Sequence, residues 1–238
     1  MDSGRLEAFS DAVIAIVITI MVLKLAVPSV QDAEGGDQFH ALWGLRFIFL
    51  SYVLSFAYLA IFWNNHHHMM FVTERIDGGV LWANMHLLFW LSLIPFTTAW
   101  LGENEFAPAP TALYGGVLLM CALAYFILQR GITHAQGKDS LLANAVGRDL
   151  RGKTSPLLYA AAIPVAFWQP WLSFAIYVGI TLMWIMPDLR IERAVEKLDE
   201  ADGPDDKRKA EVEAVKEAEA DQEGAEDSGA KKGRLRPD

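Results

Sequence analysis

The residues with chemical potential are few and sit in unusual company. Arg5, Glu7 and Asp11 open an otherwise apolar segment, while His66, His67, His68, Asn84 and His86 interrupt two later ones. A carboxylate at mid-membrane costs about 2.5–3.5 kcal/mol on insertion scales, so Asp11 there requires a partner or a wet cavity. An acidic residue in the first turns of a helix is also favoured by the unsatisfied N–H groups at that end. Position alone allows either reading. The run His66-His67-His68 suggests a metal, but consecutive helical residues point 100° apart, whereas two ligands on one face need i, i+3 or i+4 spacing. No metal site is expected of the three histidines by themselves. One of them suits a polar network and another the membrane boundary.

Enzymatic chemistry has no support. There is no phosphate-binding Gly-rich loop, no Gly-x-Ser-x-Gly elbow and no His-Glu-x-x-His helix. The single cysteine, Cys121, lies in an apolar run and excludes an intrachain disulfide or a thiolate cluster.

The elements that must position these residues follow from how charge is distributed. Of 49 charged side chains, 28 fall in the last 51 residues, Asp188 to Asp238, with 17 acidic and 11 basic. The net charge of −9 argues against a nucleic-acid partner, but it shrinks to −3 over the first 187 residues, from which no partner follows. Those residues are apolar in long runs that lipid can cover and that a soluble core of this length cannot. Two domains are expected: a membrane domain over 1–190 and a charged cytoplasmic tail over 191–238, partly helical and partly disordered. The opening segment is long enough to span and lacks a basic leader, so it reads as a retained helix.

A span needs about 20 apolar residues. Six segments approach that length, at 6–27, 43–70, 79–101, 110–129, 155–169 and 171–187, the last two divided by Gln169-Pro170. The expected fold is all-α and polytopic, with six transmembrane helices. The 130–153 linker holds Arg130, Lys138, Arg148, Arg151 and Lys153, whereas the 28–42 and 102–109 loops hold only acidic charges. Basic loops stay inside, which predicts a multi-pass protein of the cell membrane with both termini cytoplasmic.

At 100° per residue, Ile16, Thr19, Ile20, Leu23 and Val27 share one face of the first span, with Asp11 on the other side. Such a stripe faces lipid, another span or a symmetry axis, and periodicity does not choose among them.

Arg5-x-x-x-Phe9-Ser10-Asp11 at the head of an Ile/Thr-rich span resembles the transmembrane protein 175 family of potassium channels, in its bacterial single-repeat branch. Phe62-Trp63-x-x-His66-His67, Leu81-Trp82-x-Asn84 and Pro95-Phe96-x-Thr98 are also similar to that family's pattern. The motifs cover residues 5–101. The resemblance implies a homotetramer of six-span subunits around a central pore lined by the first span, conducting potassium passively and needing no cofactor. Its partners are identical subunits and the bilayer. No Thr-Val-Gly-Tyr-Gly-like filter segment occurs, in keeping with that family.

Counted from Phe-Ser-Asp, Ile16 matches the family's hydrophobic constriction, Thr19 its polar layer, and Ile20 and Leu23 its further apolar rings. The resemblance also implies a polar network of Arg5, Ser10 and Asp11 with His66 or His67 and Asn84. Lys24 departs from the pattern: four ammonium groups near an outer mouth would repel potassium, unless each stem carries its charge to the headgroups. The rival function is a proton-coupled secondary transporter that uses Asp11 and the membrane histidines as a relay.

Overall fold

Proline, capping and two left-handed residues decide where the helices break. The computed structural model describes residues 3–25, 27, 42–71, 73, 76–136 and 150–185. Its helices are α1 (Ser3–Val22), α2 (Arg46–Phe71), α3 (Gly78–Ser92), α4 (Ile94–Glu103), α5 (Pro108–Gln136), α6 (Leu150–Trp168) and α7 (Pro170–Ile185), and the described residues contain no strand. The charged tail from 191, the acidic 28–41 loop and most of the basic linker lie outside the described residues.

Asp77 caps α3 by accepting the Val80 N–H at 2.8 Å, filling one of the orphan donors of a helix start. The expected third span is bent: Pro95, in the first turn of α4, has no N–H to continue the ladder, and the chain hinges at Leu93. α5 runs on to Gln136, past the 129 at which hydropathy ends, and Gln129 and Ile132 of that extension are buried. Three rods, 46–71, 78–103 and 108–136, are long and apolar enough to cross a bilayer by length and composition. α1 carries Arg5, Glu7 and Asp11 in its opening turns.

The turn between α4 and α5 passes through Glu105 and Phe106 at φ 49° and 60°, a region non-glycine residues rarely enter. Phe106 offsets that strain by burial, with its ring 4.6 Å from Phe174, 5.0 Å from Trp171 and 5.8 Å from Phe47. α6 and α7 are two helices folded back on each other. Ser173 Oγ donates to the Ala162 carbonyl at 2.8 Å, whereas eleven residues of continuous helix would separate them by about 16 Å.

α5 is the central rod, contacting α3, α4, α6 and α7, while α1 lies against α2, α3 and α4. Close approach relies on small residues, as is usual between membrane helices. A Cβ on Gly102 would lie 2.6 Å from Ser51 Oγ and 2.7 Å from Ile48 Cα, so α4 packs directly on the α2 backbone. Gly115 of α5 faces the Tyr177 hydroxyl of α7 just as tightly.

Buried hydroxyls pair with one another, since hydrocarbon offers no alternative partner. Ser55 Oγ lies 2.9 Å from the Tyr114 hydroxyl and 2.7 Å from that of Thr98. Tyr58 donates to the Tyr177 carbonyl at 2.6 Å.

Candidate functional site

The site is built on α1, whose two faces have opposite fates. Leu6, Ser10, Ile14, Val17 and Met21 are buried against the rest of the chain. Ile16, Ile20 and Leu23 are 56%, 43% and 79% exposed against 0% for Ile14, and Thr19 and Val27 are exposed beside them. The subunit thus leaves uncovered the stripe that the helical wheel groups together.

Thr19 Oγ donates its proton to the Ile16 carbonyl at 2.9 Å. With its donor spent on the helix, the hydroxyl offers lone pairs at the exposed face, the half of an alcohol that a cation or its hydration water uses. Ile16, Ile20 and Lys24 also line an open groove of about 520 Å³ together with Ser92, Pro95 and Phe96. Lys24 is exposed at the end of this helix.

A buried polar chain ties the other face of α1 in place. His66 Nε2 lies 2.8 Å from Asn84 Oδ1, Asn84 Nδ2 donates to Ser10 Oγ at 2.8 Å, and Ser10 Oγ donates to the Leu6 carbonyl at 2.8 Å. All three side chains are fully buried. Asn84 accepts through its oxygen, so His66 carries its proton on Nε2; its Nδ1 has no hydrogen-bond partner among the described residues. The chain joins α1, α2 and α3 through one residue from each.

Half-buried Asp11 accepts from Trp63 Nε1 at 3.1 Å. Glu7 reaches His67, with Oε1 2.8 Å from Nδ1, close in distance but off the direction a ring-nitrogen hydrogen bond requires. The His67 ring stacks on Trp63, centroids 5.9 Å apart and planes at 21°. Of the sequence-predicted network, Ser10, His66 and Asn84 therefore meet directly, Asp11 and His67 form a second group with Glu7 and Trp63, and Arg5 is exposed apart from both. Glu7 and Trp63 were not among the expected site residues. The signal for both was i, i+4 spacing, Glu7 to Asp11 and Trp63 to His67. His86 accepts from Trp90 Nε1 at 2.9 Å, a pair within α3.

An all-helical bundle with long apolar rods, satisfied interior hydroxyls and an apolar outer surface defines a polytopic membrane protein. A family model described as the endosomal/lysosomal potassium channel TMEM175 matches residues 5–95, nearly the same stretch that carries the motifs. A protein named potassium channel from Chryseobacterium sp. (strain P1-3) is 43% identical over 197 residues, 83% of this chain and 100% of its own length. The crystal structure of a lysosomal potassium-selective channel TMEM175 homolog from Chamaesiphon minutus superposes with a TM-score of 0.69 at 29% identity, covering 77% of this chain and 96% of that one. A zebrafish (Danio rerio) protein named endosomal/lysosomal proton channel TMEM175 is 31% identical over 126 residues, 52% of this chain and 23% of that protein. The chain belongs to the TMEM175 family, a family of membrane ion channels and not of enzymes.

Proposed function

We propose that four copies of this chain surround an axis lined by α1 and form a potassium-permeable channel, with Ile16 as its narrowest ring. The observation that carries this reading is the division of α1: one face is fully buried in the subunit, and the other presents Ile16, Thr19, Ile20 and Leu23 uncovered. Family membership, and relatives named as potassium channels, support reading that uncovered face as pore-lining.

At such an axis an ion entering the Ile16 ring sheds water and finds no side-chain oxygen in return. The ring thus sets a dehydration barrier that is lower for weakly hydrated potassium than for sodium. Thr19, one turn on, supplies four hydroxyl oxygens whose lone pairs are free. The Ser10–Asn84–His66 chain holds the back of α1, so that the ring keeps its radius. In this reading the subunit has six spans, α3 and α4 together making the third, and lies in the cell membrane with both termini cytoplasmic.

The carrier alternative is less well supported by the same geometry. A relay through Asp11 and the histidines needs one continuous path, whereas His66 bonds into the Ser10–Asn84 chain and Asp11 and His67 sit in a separate group with Glu7 and Trp63. Planar-bilayer recording from the purified full-length protein separates the two. Unitary current steps in potassium gradients are expected, and smooth electrogenic or electroneutral uptake with no resolvable steps would overturn the channel reading.

A further inference from the structure

We propose that Glu7, Asp11 and His67 form a binding site for a first-row divalent transition-metal ion that ties α1 to α2. The three histidines of α2 fail as a site because adjacent helical residues diverge, but the missing ligands come from the other helix. Glu7 and Asp11 are one turn apart on α1, the i, i+4 spacing that puts two donors on one face. Their carboxylate oxygens and a His67 ring nitrogen all lie within 4.8 Å of one another.

A shared ion at about 2.0–2.2 Å from each donor would hold the donors on the order of 3.0–3.4 Å apart. Glu7 Oε1 and His67 Nδ1, now at 2.8 Å, need to part slightly, and an Asp11 carboxylate oxygen stands within 4.8 Å of both. All three side chains are half-buried, so small rotations suffice and solvent still has access for the remaining coordination positions.

Two further observations point to a ligand. His67 keeps 43% of its side chain exposed, yet its Nδ1 is shielded and stands at ion-pair distance, 2.8 Å, from a Glu7 oxygen with no aligned hydrogen bond among the described residues. Trp63 orients two of the three donors at once: its face stacks on the His67 ring, and its Nε1 donates to Asp11 Oδ1. That is the arrangement by which outer residues fix metal ligands. Charge agrees, since two carboxylates this close repel each other and a dication relieves them.

The donor set selects the ion. An imidazole with two carboxylates suits cobalt, nickel, zinc or manganese; magnesium and calcium favour all-oxygen shells, and no thiolate is present for copper(I).

Cobalt(II) is the probe. Titrated into full-length protein in detergent, it should give a saturable visible absorption band at one ion per chain and raise the melting temperature. Glu7→Gln and His67→Gln, each at a half-buried position, should weaken binding by about tenfold or more and abolish the metal-dependent rise in melting temperature, while melting without metal stays near wild type. His86→Gln should bind as wild type. Failure of the wild-type protein to bind cobalt(II), or unchanged binding in both the Glu7 and His67 variants, would overturn the site. If one variant does not fold, the other decides alone.

Discussion

The Asn84 amide donates to Ser10 Oγ at 2.8 Å with both side chains fully buried, so the third helical segment holds the pore-helix candidate through a bond lipid cannot replace. Replacing Asn84 with Leu removes that bond and the one to His66 together. Single interhelical bonds in membranes average only about 0.6 kcal/mol, but here His66 would be left with neither ring nitrogen paired. A loss of about 1–3 kcal/mol is expected, read as a lower melting temperature in detergent. An unchanged melting curve would mean the chain is ornamental.

Asp11 should matter for assembly more than for ion choice. Its partner is the neutral Trp63 indole, not a buried cation, so Asp11→Ala leaves no orphaned charge and should cost about 1.5–3 kcal/mol, the range for a hydrogen bond to a charged group. Trp63→Phe should reproduce most of that loss. Size-exclusion profiles of both variants test this; a well-assembled Asp11→Ala protein whose only defect is altered ion preference would contradict it.

Gly115 and Gly116 are adjacent and should respond oppositely. A methyl group on Gly115 meets the Tyr177 hydroxyl, whereas Gly116 has open space. Gly115→Ala should destabilise by about 1–3 kcal/mol through overpacking, with partial rescue by Tyr177→Phe. Gly116→Ala should be neutral or stabilise by up to about 1 kcal/mol, since alanine is the better helix former. Thermal melts of the three variants decide.

Orientation is testable with impermeant thiol reagents once Cys121 is replaced by Ala. Basic linker residues predict that Ser140→Cys is protected in intact cells and Asp37→Cys is labelled. The reverse pattern would invert the topology.

Much of α1 was legible in the sequence because a 3.6-residue period is a local property: the wheel that grouped Ile16, Thr19, Ile20 and Leu23 needed no neighbours. Pro95 signals the hinge at Leu93, but hydropathy over 79–101 is continuous across it and hides the break. The choice among His66, His67 and His68 was not legible. It depends on how α2 is rotated against α1, which turns His66 toward Asn84 and His67 toward Glu7. Arg5's motif position suggests the network, and within the single subunit its side chain is exposed.

The exposed stripe of α1 is the feature on which the proposed function turns, and one variant addresses it. Reversal potential should be measured under opposed potassium and sodium gradients for wild type, Ile16→Asn, Thr19→Val and Ile18→Asn, the last on the half-buried side of the helix. If Ile16 rings the pore, Ile16→Asn raises current and moves the reversal potential toward zero as an amide replaces the dehydrating ring. Thr19→Val then lowers potassium preference, and Ile18→Asn leaves selectivity unchanged in whatever protein assembles. A wild-type reversal potential and current in Ile16→Asn, with a shift in Ile18→Asn, would place the stripe against lipid and the pore elsewhere.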